Sequence, residues 1–248
     1  MKGMVFAAGL GTRLYPLTAS CPKALVDVCG TPMLARVIRK LISAGVDDLV
    51  VNVHHFPDMI IDYLAKNDNF GVRIRVSDER DLLLDTGGGL QKAASLFGYE
   101  GPVVVHNADI FTDFDLRPMI ESHMRSDDDA TLLVSGRKTS RYLLFDSESR
   151  MRGWVNRSTG EVRPCGVTED ALAHKAFGGV HVVSGRLLRK LAENAGNVPY
   201  SITPFYIDRC NELKISAYEP SGSYAWFDIG KPETLESCRR YVSEGDIS

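Results

Sequence analysis

The sequence lacks the features that mark several large classes of proteins. Its 29 lysines and arginines are outnumbered by 32 aspartates and glutamates, so there is no overall positive charge to hold a nucleic acid backbone. Its five cysteines are scattered without a C-x-x-C pair, which argues against a disulfide framework and a zinc site and is typical of a reduced cytoplasmic protein. No apolar run approaches the roughly 20 residues of a membrane helix. We therefore expect a cytoplasmic protein without nucleic acid or membrane partners.

The composition is that of a folded globular chain. The 248 residues are 44% hydrophobic and 25% charged, which are ordinary proportions for a globular protein. A chain of this length buries roughly 75% of the surface that it exposes when unfolded, so a substantial core is available. Because there is no internal repeat and no low-complexity linker, we expect one domain over residues 1–248.

The first half of the chain alternates short apolar runs with helical periodicity, which predicts βαβ units and a mainly parallel sheet. Strands are predicted at residues 4–8, 49–53, 72–76 and 103–106, and helices at 57–66 and after Gly89. A third helix is predicted from Pro32, with Thr31 as its N-cap and a stop at Gly45.

The second half is richer in strands, which predicts an antiparallel extension of the sheet. The predicted strands are 130–135, 142–145, 151–155 and 177–183, followed by a closing hairpin of 215–218 with 224–227. The predicted helices are 186–194, 203–211 and 231–242. The pattern as a whole predicts a single-domain α/β fold, a Rossmann-like mixed sheet with helices on both faces.

The loop after the first predicted strand combines glycines with cations. Gly9 and Gly11 let backbone amides approach a polyphosphate closely, and Arg13 and Lys23 can neutralise it. A dinucleotide-binding loop would need a third glycine where Leu14 stands, and the G-K-[ST] of a Walker loop is also missing. A plain glycine-rich turn with two surface cations is the alternative that composition leaves open.

The G-L-G-T-R of residues 9–13, followed by Pro22 and Lys23, resembles the G-x-G-T-R…P-K signature of sugar-1-phosphate nucleotidylyltransferases. These enzymes join a nucleoside triphosphate to a sugar 1-phosphate and release pyrophosphate. The resemblance implies a GT-A-like nucleotidyltransferase fold, with Arg13 and Lys23 as catalytic cations. The nucleotide-binding residues that it implies in this part of the chain are Ala8, Gly9, Gly11, Thr12, Arg13 and Lys23.

Two carboxylates far apart in the sequence are predicted to hold Mg²⁺. Asp109 follows the strand at 103–106, and ligands of open α/β sheets bind beyond the carboxyl ends of strands. The N-A-D of residues 107–109 resembles the N-G-D motif of the family, which implies that Asn107 orients a ribose or sugar. The W-F-D-I-G-K-P-E of residues 226–233 resembles the segment of the family's second metal carboxylate, here Asp228. The alternatives are a turn aspartate and a helix cap.

Three consecutive glycines precede the helix that is predicted after Gly89. They are expected to leave a flat surface for a base, with donors from the helix N-terminus. In the family this loop contacts the nucleobase, which implies that Thr86, Gly87 and Gly88 bind the nucleotide. The L-x-T-G-G-G form resembles the N-acetylmuramic acid-1-phosphate uridylyltransferases, but related loops of cytidylyl- and guanylyltransferases leave the base open.

The sugar side matches the family less well. The resemblance resumes at residues 177–180 and 224–235, and it implies that Gly178 and Gly179 bind substrate. Residues 136–175 lack the E-K-P segment whose lysine helps to hold the sugar phosphate, and Lys175 and Arg157 are the substitutes considered. Residues 1–115 are expected to bind the nucleotide and residues 116–248 the sugar phosphate.

The expected reaction joins UTP and N-acetylmuramic acid 1-phosphate into an NDP-sugar and releases pyrophosphate, in a monomer or homodimer that uses Mg²⁺. One alternative is a guanylyltransferase that forms a GDP-sugar from mannose or heptose 1-phosphate. The other is a nucleotide-sugar binding protein without turnover, which would not need the four charged residues predicted around the α-phosphate.

Overall fold

A computed structural model of the chain describes residues 1–193, 196 and 198–245. Its strands are β1 (Lys2–Phe6), β2 (Asp27–Val28), β3 (Thr31–Pro32), β4 (Asp48–Val53), β5 (Arg73–Asp78), β6 (Val103–Asn107), β7 (Ile110–Thr112), β8 (Ala130–Ser135), β9 (Arg141–Phe145), β10 (Met151–Asn156), β11 (Glu161–Arg163), β12 (Ala173–Val183), β13 (Ile215–Tyr218) and β14 (Trp226–Asp228). Its α-helices are α1 (Met33–Ser43), α2 (Pro57–Lys66), α3 (Asp85–Phe97), α4 (Arg117–Arg125), α5 (Gly185–Ala192), α6 (Ile202–Arg209) and α7 (Pro232–Glu244).

The central sheet has a parallel half and an antiparallel half. Its strand order is β11-β10-β9-β12-β6-β1-β4-β5, and β8 and β13 extend it beside β12. Strand β1 pairs in parallel with β4 and β6, whereas β12 runs antiparallel to β6. The valine-rich runs of β4 and β6 suit this position, because strands in the middle of a parallel sheet are buried on both faces.

Helices cover both faces of the sheet. In β1, the fully buried Val5 packs in one core cluster with α1, α2, α4 and α7. Its equally buried neighbour Met4 packs in a second cluster with α3, α5 and α6. Successive residues of a strand point to opposite faces, so the two clusters are the two layers between sheet and helices. The predicted α/β mixed sheet with helices on both faces is confirmed.

The predicted closing hairpin is wrong. Strand β13 pairs in parallel with β8 at the sheet edge, whereas β14 pairs antiparallel with β7 in a separate two-stranded sheet. Tyr218, the last residue of β13, and Tyr224, which precedes β14, both pack against Phe114, with ring centroids 5.9 and 5.6 Å away. Both segments contain a strand, as predicted, but each strand pairs with a strand elsewhere in the chain.

Several predicted boundaries move. Strand β1 ends at Phe6 because the amide of Ala7 bonds to the side chain of Asn52 at 2.8 Å and not to the backbone of a neighbouring strand. Helix α1 begins at Met33, because Thr31 and Pro32 form the short strand β3. The predicted last residue of the helix at 186–194, Asn194, lies outside the described residues. Among the residues that are described, no helix is long and apolar enough to cross a membrane.

Candidate active site

A cavity of about 560 Å³ opens where β1, β4 and β6 end, and ligand sites of proteins commonly have this size. Parallel strands end at the same edge of the sheet, so the loops that follow them line one space. Of the residues singled out in the sequence, those that line the cavity are Ala8, Gly9, Gly11, Thr12, Arg13, Lys23, Thr86, Asn107 and Asp109. The structure thus brings together most of the predicted nucleotide-binding residues.

Thr18 and Lys23 pack against the glycine loop of residues 9–13 and fix its conformation. Gly11 has a φ of 66°, and a Cβ there would stand 2.9 Å from side-chain atoms of both Thr18 and Lys23. The Thr18 hydroxyl donates to the Gly11 carbonyl at 2.9 Å. In the described part of the chain, nothing accepts a hydrogen bond from the backbone amides of Gly9, Leu10 or Gly11. These amides are therefore available to bind an anion in the cavity.

A buried polar pair that sequence reasoning missed supports the same loop. The Asn52 side chain accepts from the Ala7 amide and donates to Glu79, both at 2.8 Å. Glu79 is almost fully buried and also accepts from the Leu84 amide at 3.1 Å. Burial raises the pKa of Glu79. The pair joins the loop after β1 to the segment that leads into α3.

Three charged side chains surround Gly230, which follows β14. A Cβ on Gly230 would stand 2.6 Å from Nη2 of Arg13, 2.7 Å from Oδ1 of Asp228 and 3.1 Å from Nζ of Lys23. Lys23 is about nine-tenths buried and forms an ion pair with Asp109. Both predicted cations and both predicted carboxylates therefore lie close together around Gly230, which lines the cavity although Asp228 does not.

The backbone brings the two carboxylates together. Strand β14 pairs with β7 so that Asp228 lies opposite Ile110, the residue after Asp109. The amide of Ile229 donates to the carbonyl of Asp109 at 2.9 Å, and the Asp228 side chain accepts from the Gly230 amide at 2.8 Å. Two residues widely separated in sequence thus become neighbours through one short strand pair.

The donor set fits Mg²⁺. Among the described residues there is no group of three or more histidine, cysteine, aspartate or glutamate side chains that could enclose a metal by itself. Mg²⁺ is commonly held by one or two carboxylates, with substrate phosphates and water completing its shell. Asp109 and Asp228 provide such a pair beside the cationic end of the cavity.

The triple glycine differs from its prediction. Gly87, Gly88 and Gly89 lie inside the first turns of α3, which begins at Asp85, and not before the helix. A Cβ on Gly87 would stand 2.2 Å from the ring of Tyr200, and one on Gly88 would stand 2.6 Å from a backbone oxygen. These two glycines are therefore packed against residues 198–200. Asp85 and Thr86 form the cavity wall at this end.

The residues predicted to bind the sugar substrate are connected to the cavity by a series of contacts that runs from Asn107 to Trp226. Asn107 lines the cavity, and a Cβ on Gly179 would stand 3.1 Å from its side-chain nitrogen. The carbonyl of Gly178 accepts from the indole of Trp226 at 2.8 Å. The Arg137 guanidinium lies over the same indole, 4.0 Å from its ring centroid. Sequence reasoning missed Arg137, whose only signal was a cation in a segment without a recognisable motif.

The two cations considered for the sugar phosphate are engaged elsewhere. Lys175 pairs with Glu219 at 2.5 Å, and Arg157 pairs with Glu169 at 3.0 Å. Arg157 also contacts a ring nitrogen of His174 at 3.0 Å. Neither side chain lines the cavity that contains Arg13 and Lys23, so the structure does not support either substitution.

Comparisons with known proteins identify the family to which the chain belongs. Residues 2–145 match the family model described as nucleotidyl transferase. The chain is 32% identical over 247 residues to the N-acetylmuramate alpha-1-phosphate uridylyltransferase of Caulobacter vibrioides, covering 97% of this chain and 96% of that protein. It is 26% identical to the mannose-1-phosphate guanyltransferase of Hypocrea jecorina, covering 96% of this chain but only 63% of that longer protein.

The fold is also similar to known structures. The structure of a UDP-glucose pyrophosphorylase in complex with UDP-glucose superimposes with a TM-score of 0.77 at 18% identity, covering 98% of this chain and 99% of that one. At this identity the likeness concerns the fold alone. The family match, by contrast, covers more than half of the chain and includes the glycine loop, Lys23 and Asp109. The chain therefore belongs to the nucleotidyl transferase family.

Proposed function

We propose that the chain transfers a uridylyl group from UTP to N-acetylmuramic acid 1-phosphate, forming UDP-N-acetylmuramic acid and pyrophosphate. The observation that carries the reaction type is the convergence of Arg13, Lys23 and Asp228 around Gly230, beside Asp109. The full-length similarity to a uridylyltransferase with this acceptor in its name supports the choice of substrates.

Phosphoryl transfer depends mainly on positioning and charge stabilisation, and different residues of the cavity act on different phosphates. The free amides of residues 9–11 and the Arg13 guanidinium bind the β- and γ-phosphates, which leave as pyrophosphate. Lys23 stabilises negative charge on the α-phosphate as an oxygen of the sugar phosphate attacks it. The new P–O bond forms as the bond to pyrophosphate breaks, so no covalent enzyme intermediate is required.

Asp109 and Asp228 would hold the Mg²⁺ of the reaction. An ion held there would supply positive charge that stabilises the phosphate oxygens. Lys23, which pairs with Asp109 in this structure, neutralises one of these carboxylates until substrate phosphates bind. The ion pair thus holds the Asp109 carboxylate and the Lys23 ammonium in position before the two substrates bind.

We also propose that the two parts of the chain bind different substrates. Residues 1–115 provide most of the cavity wall, to which the later part adds Pro199 and Gly230. Residues 116–248 provide Trp226, whose indole bonds to the carbonyl of buried Gly178, next to the Gly179 that packs on Asn107 of the cavity wall. This distribution supports a nucleotide site in the first part and an acceptor site in the second.

The test is a matrix of UTP, GTP, CTP, dTTP and ATP against N-acetylmuramic acid, mannose, heptose and glucose 1-phosphates, with products identified by mass spectrometry. We expect UDP-N-acetylmuramic acid as the main product. A GDP-sugar would instead support the guanylyltransferase alternative, which the similarity to a mannose-1-phosphate guanyltransferase favours. Nucleotide binding without any product would support a binding protein.

Variants of the carboxylates test the site within the same assay. Asp109→Asn and Asp228→Asn should each abolish most turnover while the protein stays folded. Asp62→Asn, which makes the same change on the exposed side of α2, is the matched control and should behave as wild type. Full turnover in either site variant would contradict the proposed assignment.

A further inference from the structure

Arg137 is a positively charged residue near the site that has no role in the mechanism proposed above. It lies two residues beyond β8, and its guanidinium stacks over the indole of Trp226 at 4.0 Å. Its Nη2 donates to the carbonyl of Phe177 at 2.7 Å. The stacking and this hydrogen bond together fix the plane of the guanidinium, so its remaining donors point in defined directions.

Those remaining donors have no hydrogen-bond partner among the described residues. The Nε of Arg137 is buried without a hydrogen bond, and its Nη1 has no acceptor within the described ranges of the chain. Burial lowers the pKa of Arg137, and the Asp228 carboxylate opposes this shift. A half-buried guanidinium with unused donors is costly unless an acceptor satisfies them, and an anionic oxygen is the strongest acceptor available.

The position of Arg137 indicates which substrate supplies the anionic oxygen that it would bind. Trp226, on which it stacks, belongs to the same short strand as Asp228. Trp226 is also bonded to Gly178, which adjoins the Gly179 that packs on Asn107 in the cavity wall. Arg13 and Lys23 lie with Asp228 around Gly230, whereas Arg137 stacks on Trp226, two residues before Asp228, and bonds to Phe177 in β12. The nucleotide phosphates have their cations around Gly230, so an anion at Arg137 comes from the second substrate.

We propose that Arg137 binds an anionic group of the acceptor sugar phosphate and thereby contributes to acceptor affinity. This inference rests on the proposed function for the identity of the acceptor. The shared chemistry is an oxyanion, which is either the phosphate at the anomeric carbon or a carboxylate elsewhere on the sugar. A stacked guanidinium can donate charge-assisted N–H hydrogen bonds to either group.

The test compares Arg137→Gln and Arg137→Lys with wild type. Loss of a charge-assisted hydrogen bond should raise the KM for the acceptor about 10- to 100-fold in Arg137→Gln. The KM for UTP and kcat should change by less than about threefold, because binding that is equal in ground and transition states affects KM alone. Arg137→Lys should recover part of the affinity. Lys138→Gln removes the exposed neighbouring charge and should leave every constant unchanged.

Competitors separate the two sources of the anion. Inorganic phosphate and free N-acetylmuramic acid, which has a carboxylate but no phosphate, are each measured as inhibitors against the acceptor. If Arg137 binds the phosphate, Arg137→Gln raises the inhibition constant of inorganic phosphate only. If it binds the carboxylate, the inhibition constant of N-acetylmuramic acid rises instead. Unchanged inhibition by both in Arg137→Gln would overturn the inference.

A structural role gives a different result. If Arg137 only positions Trp226 and Asp228, both variants should lower kcat with no selective change in the acceptor KM, and the inference fails. Direct titration of the acceptor into wild type and Arg137→Gln keeps this test independent of turnover. Weaker binding to the variant with no turnover in wild type would support Arg137 while the proposed function fails. Turnover in wild type with equal acceptor binding by both proteins would reject Arg137 alone.

Discussion

Replacing Gly230 with alanine should separate catalysis from folding more sharply than any change of a charged residue. The added Cβ would stand 2.6 Å from Arg13, 2.7 Å from Asp228 and 3.1 Å from Lys23, all at the charged ends of their side chains. The φ angle of Gly230 is not in the left-handed region, so its backbone conformation can accommodate alanine without strain. The two cations and the carboxylate must each move away from the point where they now meet.

The consequences for stability and rate differ in size. Overpacking costs about 1–3 kcal/mol where neighbours cannot move, and here the long arginine and lysine side chains can, so the loss should fall at the lower end. At roughly 2–4 °C per kcal/mol for a chain of this length, the melting temperature should drop by only a few degrees. A displacement of about 1 Å in reacting groups can cost about 100-fold in rate. We therefore expect kcat/KM to fall about 100-fold in Gly230→Ala.

Pyrophosphate release and thermal unfolding measure the two effects on the same preparation. Gly136→Ala is the matched control, because a Cβ there meets nothing within 4 Å and its φ is also ordinary. It should match wild type in both measurements. If Gly230→Ala retained kcat/KM within threefold of wild type, the three charged groups would not act together on the reaction.

Three further changes test the support of the site and the core. Asn52→Ala leaves the Ala7 amide and one carboxylate oxygen of buried Glu79 without a partner, so urea unfolding should show a loss of about 2–4 kcal/mol. Gly87→Ala places a Cβ 2.2 Å from the Tyr200 ring and should cost about 1–3 kcal/mol; an unchanged urea midpoint would contradict this packing. Burial lowers the pKa of His181 from 6.5 to about 3, so the unfolded chain binds its proton first as the pH falls. This histidine alone should remove about 3 kcal/mol of stability between pH 7 and 4.5, and His181→Phe should show a correspondingly smaller loss.

Local patterns were sufficient for the layered fold. The apolar stripe of α1 and the buried valines of β4 and β6 are properties of short segments, so their periodicity predicts helix and strand. The partners of β13 and β14 depend on residues far along the chain, and proximity in sequence wrongly suggested a hairpin. The prediction that helix α3 begins after its three glycines was also wrong. Their low helix propensity is outweighed by close packing on Tyr200.

The candidate site was accessible from the sequence only in part. The glycine loop, Lys23 and Asp109 lie within or near recognisable motifs, and the structure places them on one cavity. Arg137 could not be found in this way, since its role depends on stacking against Trp226 from a distant strand. Asn52 and Glu79 were missed for a related reason: a buried amide–carboxylate pair is visible only once the strands that carry it are adjacent.

The pairing of β7 with β14 is the step on which the chemistry depends. It sets Asp228 opposite Ile110 and lets the Ile229 amide bond to the Asp109 carbonyl, so the two carboxylates adjoin through the backbone. The same strand carries Trp226, and with it the platform for Arg137. One three-residue strand therefore connects the groups proposed for the nucleotide to the group proposed for the acceptor. In-line transfer requires both substrates to be held in a fixed relation, and a shared backbone element provides that relation without a moving part.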